Sequence, residues 1–316
     1  MITWTKYGGL PAAGVLTFAL LAATPATAAQ RTTTATVATA ATAATACRIS
    51  AGAMTAQGDH RIQTFAATKP IKRTENRTVA KGLWPAGLVR MSSSWFKGRG
   101  AENPDISHHG LVVDTQNVLY EGQYAITSNG GLYPHWTRIG GGWGGYRAIE
   151  RSQVLLSPTT ERQTAYGLAA DGTLHRWNIT STAGRQSWKP SGIAGGYAGV
   201  KSMALISQTK TYDTFLMNGK DGALLTVHIP TASPMKPVVK KVRSATWQGF
   251  EAMMGARCGT NGTLLLGIDK DTGAGYLYAV GHGATAIQGL GKAPGTFPDP
   301  VPFAWHENSD PKLFGE

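Results

Sequence analysis

The chain is poor in the features that most functional classes require. Only two cysteines, Cys47 and Cys258, occur among 316 residues, and no His/Cys spacing of the zinc type accompanies them. A thiolate-based metal site or a cysteine-dense scaffold is thereby excluded. Acidic residues are scarce as well, 18 against 30 basic ones, which leaves few candidates for paired-carboxylate chemistry and a formal charge of +12. No helical periodicity is sustained over ten residues, so a helical bundle is excluded. The one long apolar run, Gly14–Ala23, is too short to span a bilayer.

That run has a different meaning. Lys6 precedes it and Ala26-Thr27-Ala28 follows it, the pattern of a positive n-region, an apolar core and a small-residue cleavage site. Residues 1–29 are therefore expected to be a secretory signal peptide and the protein to be extracellular. Residues 30–46, almost wholly Thr and Ala, are expected to be a disordered leader, since they offer little to bury. In an exported chain the two cysteines are expected to pair.

Glycine is what the chain has in excess, and it is concentrated. Ile139–Tyr146 reads Ile-Gly-Gly-Gly-Trp-Gly-Gly-Tyr, with weaker copies at Ile193–Val200 and Trp247–Phe250. Such a run resists helix and suits close backbone approach, with Trp143 and Tyr146 as its large surfaces. Two landmarks alternate along the chain. Turn signals begin at Asp59, Gln116, Asp171, Asp221 and Asp271; aromatics near glycine stand at Trp84, Trp143, Tyr197, Trp247 and Phe297. The second follows the first by 25, 27, 26, 26 and 26 residues (59 to 84, 116 to 143, 171 to 197, 221 to 247, 271 to 297). Asp-Gly before alternating apolar residues signals a hairpin. Five units of roughly 50 residues match the period of propeller blades. The expected fold is all-β, a five-bladed β-propeller of four-stranded antiparallel blades over residues 47–303, followed by a tail at 304–316. Cys47 precedes the first unit and Cys258 opens the fifth, so a bridge between them would clasp the ring where its ends meet.

The segment His135-Trp136-Thr-Arg138-Ile139-Gly140-Gly141-Gly142-Trp143-Gly-Gly-Tyr146 resembles the blade motif of tachylectin-type five-bladed propeller lectins. The resemblance spans roughly residues 50–300 by period but is sharp only in the second unit. It implies a non-enzymatic lectin, needing no cofactor or metal, that binds N-acetylated amino sugars such as N-acetylglucosamine or N-acetylgalactosamine between blades. The residues it implicates are Trp84, Trp136, Gly141, Gly142, Trp143, Tyr146, Tyr197 and Trp247. An aromatic face can stack on a pyranose, and bare glycine backbone can reach its hydroxyl and acetamido groups. The same aromatics can equally be packing posts between blades.

Other readings stand beside this one. A propeller glycoside hydrolase would need two placed carboxylates, and Glu102, Asp105 and Asp114 are the only clustered trio. The pair His108-His109 could ligate a metal or act as a base. A protein-binding scaffold is the third class. The basic charge is spread, with concentrations at Lys69–Lys97 and Lys236–Arg243. It favours anionic cell-surface polymers over specific nucleic-acid binding, and the chain is expected to be a monomer.

Overall fold

The computed structural model describes residues 47–99, 106–157, 159–182, 185–307, 310 and 312–316. The expected signal peptide and leader lie outside the described residues. Among the described residues strand follows strand, broken only by two single-turn 3-10 segments at Trp143–Gly145 and His282–Ala284.

The third, fourth and fifth sequence units each form a four-stranded antiparallel meander. They consist of β9 (Tyr146–Ser157) to β12 (Arg185–Ala194) through β10 (Thr160–Ala169) and β11 (Leu174–Thr182), then β13 (Val200–Gln208), β14 (Tyr212–Gly219), β15 (Leu224–Pro230) and β16 (Val238–Arg243), and last β17 (Ala252–Cys258), β18 (Gly262–Asp269), β19 (Ala274–Val280) and β20 (Ile287–Lys292). The first two units depart from the expectation of separate sheets, because they share one nine-stranded sheet. Within it, β21 (Val301–Glu307) pairs with β1 (Arg48–Met54), followed by β2 (His60–Ala66) and β3 (Lys72–Ala80). The other half holds β4 (Val89–Ser92) and β5 (Trp95–Arg99), both on β6 (Ile106–Asp114), then β7 (Leu119–Ile126) and β8 (Leu132–Gly140). A short parallel pairing, Trp305↔Trp95 to Glu307↔Lys97, joins the halves. Its cause is a break in the strand at Ser93-Ser94. There Ser93 exchanges bonds with Leu111, and the Ser94 N–H turns to the Glu150 carboxylate, freeing β5 to reach β21.

The first strands of the units pack on one another. β9 touches β13, β13 touches β17, β17 touches β21, and β4 touches both β21 and β9. Between successive units lie five apolar clusters, each containing one of the spaced aromatics. Trp84 packs with Met54 and Val112, Trp143 with Leu119 and Ile149, Tyr197 with Leu174 and Phe215, Trp247 with Leu216 and Leu265, and Phe297 with Phe65 and Leu266.

One hydrogen bond explains the constant spacing. The backbone N–H of each aromatic donates to a carbonyl in the turn between the second and third strands of its own unit: Trp84 to Gly58, Trp143 to Asn117, Tyr197 to Gly172, Trp247 to Gly222 and Phe297 to Gly273, at 2.9–3.1 Å. All five acceptors have positive φ, from 63° to 88°, a conformation glycine adopts without strain and asparagine tolerates. Substituting Gly172 with alanine would add a Cβ 2.1 Å from the Ala198 nitrogen.

Cys47 and Cys258 form the expected disulfide, at a sequence separation of 211. The bridge lies in the cluster that joins the fifth unit to the first. β21 runs through Glu307, so the boundary set at 303 in sequence falls inside a strand. Beyond it, Leu313 enters the core between the third and fourth units, and Phe314 bridges Ser207 at the end of β13. Among the described residues no helix is long and apolar enough to cross a membrane.

Two outcomes are expected. Gly172→Ala will lower unfolding free energy by about 2 kcal/mol or more, read from denaturant melts, whereas Gly82→Ala, also at positive φ but with open space around its Cβ, will cost less. Reduction of the disulfide will lower the melting temperature, as expected for a cross-link worth about 3–5 kcal/mol across so long a loop. An unchanged melting point in dithiothreitol would show that the fold holds without it.

Candidate functional site

The four aromatics placed as posts are buried. Trp84, Trp143, Tyr197 and Trp247 keep only 4–7% of their surface exposed, so their ring faces are engaged in packing. The accessible members of the motif are its neighbours. Gly141 and Gly142 are exposed, while Tyr146 and Trp136 are half-buried.

Around Trp143 the half-buried rings form a platform. Trp143 lies 4.6 Å from Tyr146 and 5.3 Å from Trp177. His175 stacks on Trp177 at 5.6 Å and 15°, Tyr146 meets His175 edge-on at 5.4 Å, and Trp188 lies 6.4 Å from Trp177. Strand alternation builds this arrangement. In β11, His175 and Trp177 are half-buried on one face, with buried Ile179 continuing that face against Trp143, while Leu174 and Arg176 are buried on the other. Gly167, on the strand between, permits the close approach, since a Cβ there would sit 2.9 Å from the Tyr146 ring and 3.1 Å from the Trp177 ring. Arg90 ties the edge of the platform from the second unit, donating to the carbonyls of Trp143 and Tyr146 at 2.8 Å each. Burial pushes the Tyr146 phenol up, with the nearby Asp171 carboxylate adding to it.

The glycine run borders this platform without being demanded by packing. An added Cβ at Gly140 or Gly145 would meet nothing within 4 Å, and at Gly141 only the Arg138 guanidinium at 4.0 Å. None of the three has positive φ; Gly142 does, at 89°. Gly141 and Gly145 thus leave bare backbone exposed, with half-buried Gly140 beside them, at positions where the fold would accept alanine.

Partial copies of the platform occur in two other grooves. Trp136 lies 4.0 Å from the Trp84 post, with Tyr120 at 5.7 Å. Tyr278 lies 4.7 Å from Trp247, with half-buried Tyr276 beside Phe250. The Tyr197 and Phe297 clusters hold no half-buried ring among the described residues: their further aromatics, Tyr166 and Phe215 in the first and Phe65 in the second, are fully buried. The sequence expectation did not place Trp177, Trp188, His175 or Tyr278 in the site. For His175, Trp177 and Tyr278 the signal was the in–out alternation of Leu174–Trp177 and Tyr276–Tyr278, which marks the outward residue of each strand; Trp188 lies on β12, outside both.

The carboxylate trio is not assembled into a site among the described residues. Asp114 is buried in the β6–β7 turn, where its Oδ1 accepts the Val118 N–H at 2.8 Å; Glu102 and Asp105 lie outside the described residues. His108 and His109 alternate on β6 and diverge. His108 stacks on Tyr124 at 4.3 Å, whereas His109 stacks on Phe96 and reaches Gln153. Among the described residues no group of three His, Cys, Asp or Glu side chains could hold a metal.

No family model and no curated protein sequence matches the chain. Solved structures resemble it distantly. A mutant of the Aleuria aurantia lectin, solved in complex with Fucα1-6GlcNAc, is 14% identical over 80% of this chain and 79% of its own, at a TM-score of 0.47. The Burkholderia pseudomallei lectin BP39L is 16% identical over 78% and 70%, at 0.41. A periplasmic gluconolactonase of Pseudomonas aeruginosa is 9% identical over 80% and 98%, also at 0.41. Similarity this distant assigns neither a family nor a ligand.

The buried histidines carry a pH consequence. Burial, aided by Lys97, lowers His108 to about 3. Burial with Arg151 lowers His109 to about 4, and burial with Lys312 lowers His306 to about 4. His60 is also held well below its ordinary 6.5, by burial and then by His108. The unfolded chain takes up these protons near pH 6.5 and the folded chain does not. Stability is therefore full above about pH 6.5 and is lost as pH falls towards about 4. Melting temperatures measured from pH 7 to 4 should decline steadily; a flat profile would contradict neutral buried rings.

Proposed function

We propose that the chain is a five-bladed β-propeller lectin, exported from the cell, that binds glycans in grooves between blades without catalysis. The nine-stranded sheet is read as two blades bridged by the β21–β5 pair, and with three further sheets this makes five. The cycle of packed first strands and the five inter-unit clusters support that reading. Propeller geometry places the grooves between blades on a common face, where several weak sites reinforce one another through avidity.

The observation that carries the function is the platform of Tyr146, His175, Trp177 and Trp188 beside the open glycines 140, 141 and 145. Half-exposed rings offer a face for the C–H surface of a pyranose. Bare backbone offers N–H and C=O groups to hydroxyls and to an acetamido group. N-acetylated amino sugars combine both demands, and N-acetylglucosamine is the ligand we assign. In this assignment Trp177, Tyr146 and Trp188 stack on the sugar, Gly141 and Gly142 approach it, and Trp143 holds the platform from beneath. Trp136 and Tyr278 mark weaker sites in their own grooves.

The test is calorimetric and fluorescence titration with N-acetylglucosamine, its short oligomers and chitin, with fucose in parallel. Saturable binding is expected, weakened about tenfold or more in Trp177→Ala. Gly141→Ala should weaken it at unchanged melting temperature, because packing tolerates the added methyl. Trp143→Ala should instead cost about 3–5 kcal/mol of stability, as for a core Trp. Wild-type affinity in both Trp177→Ala and Gly141→Ala would remove the platform as the site.

A further inference from the structure

A second feature lies on the axis of the molecule, away from the aromatic platform. Where the first strands of the units converge, they enclose a cavity of about 140 Å³. Four cationic side chains from four units line it: Arg90, Arg147, Lys201 and Lys270. Each reaches backbone carbonyls of the connection that leads into the following unit or, for Tyr146, of that unit's first residue. Arg90 donates to Trp143 and Tyr146, Arg147 to Tyr197 and Ala198, Lys201 to Gln248, and Lys270 to Pro300.

The balance of charge around the cavity is uneven. Of its two carboxylates, Glu251 is committed to Lys201 and to the Lys270 N–H. Glu150 is buried and turned to the N–H groups of Ser94 and Arg151, and burial pushes its carboxyl up. Neither carboxylate is paired with Arg90 or Arg147. Both guanidinium groups spend their terminal nitrogens on carbonyls, and both keep a buried Nε without a hydrogen-bond partner. Burial lowers both arginines from their ordinary value, with Asp114 and Asp171 acting on them only at a distance. Four cationic side chains around one small cavity, with one carboxylate paired to Lys201 and the other turned to backbone N–H groups, leave Arg90 and Arg147 without a counter-charge that a bound negative group would supply.

We propose that this axial cavity is a binding site for a small oxyanion, a phosphate, a sulfate or the carboxylate of an acidic sugar, held between Arg90 and Arg147. Its size admits a tetrahedral oxyanion or a single carboxylate group. Guanidinium donors suit planar and tetrahedral oxyanions alike. Because the cations that surround the site are also the ties between units, an anion bound there would tighten the ring as a whole. The site is independent of the glycan platform.

The test follows thermal stability and calorimetry of the intact chain in buffer free of other oxyanions, with added phosphate, sulfate and glucuronate and, as the control, chloride at matched ionic strength. A saturable rise in melting temperature is expected with at least one oxyanion, and no comparable rise with chloride. Phosphate or sulfate acting alone identifies a free inorganic ion; glucuronate acting more strongly identifies an acidic sugar. In Arg147→Gln the affinity should fall about tenfold or more, as for loss of a charged hydrogen bond. Because that variant also loses a tie between units, Ala252→Asp is the second probe. It sets a carboxylate at the cavity wall without removing any cation, and should abolish the response while glycan binding persists. A wild-type chain indifferent to all three oxyanions, or an undiminished response in Ala252→Asp, would leave these cations as ties between units and nothing more.

Discussion

Five hydrogen bonds of one kind hold this architecture in register. In every unit the chain leaving the fourth strand returns to the turn between the second and third, where an aromatic residue's N–H meets a carbonyl of a residue with positive φ. The bond fixes where the connection leaves one sheet, and so where the aromatic ring enters the gap before the next. Burial of that ring then supplies the apolar adhesion between units. A left-handed residue and a large ring 24 to 26 positions apart (58 to 84, 117 to 143, 172 to 197, 222 to 247, 273 to 297) are thus two ends of one device. Because the fold consists of copies of it, stability is divided among similar interfaces in the manner of repeat architectures.

A repeated scaffold frees individual copies to diverge. The Trp143 unit carries an aromatic platform and open glycines, the Trp84 and Trp247 units carry parts of one, and the Tyr197 and Phe297 units have lost the outward rings while keeping the latch. Retention of the packing member alongside loss of the exposed one separates the two roles that a glycine-aromatic motif confounds in sequence. The cationic ties show the same drift. Arginine serves at 90 and 147 and lysine at 201, whereas Glu251 stands at the related position in the fifth unit and pairs with Lys201. What results is a basic axial cavity whose lining is not symmetric.

The seam between the first and last units has a separate character. Three devices meet there: the C-terminal strand β21 completes the first sheet, the disulfide joins that sheet to the fifth unit, and a layer of buried histidine and aromatic rings fills the boundary with the second. His60, His108 and Trp305 keep unpartnered ring nitrogens within this layer. The first sheet draws its strands from both ends of the described residues, so the cross-link ties a place where an open edge would otherwise form.

Much of this was present in the sequence. Periodic turn and aromatic landmarks report a local bond between positions at fixed separation, and a local bond leaves a local signature; the pairing of Cys47 with Cys258 followed from where the ends of a ring must meet. The accessible residues were not legible in the same way. Whether Trp143 or Trp177 shows its face depends on which neighbour covers it, and that cover comes from another sheet. The merging of the first two units through β5 and β21, and the convergence of Arg90 and Arg147 on one axial cavity, likewise depend on contacts between residues far apart in the chain. Spacing along the chain determined the repeat, while burial between units decided which of its aromatics hold the molecule together and which remain open to a ligand.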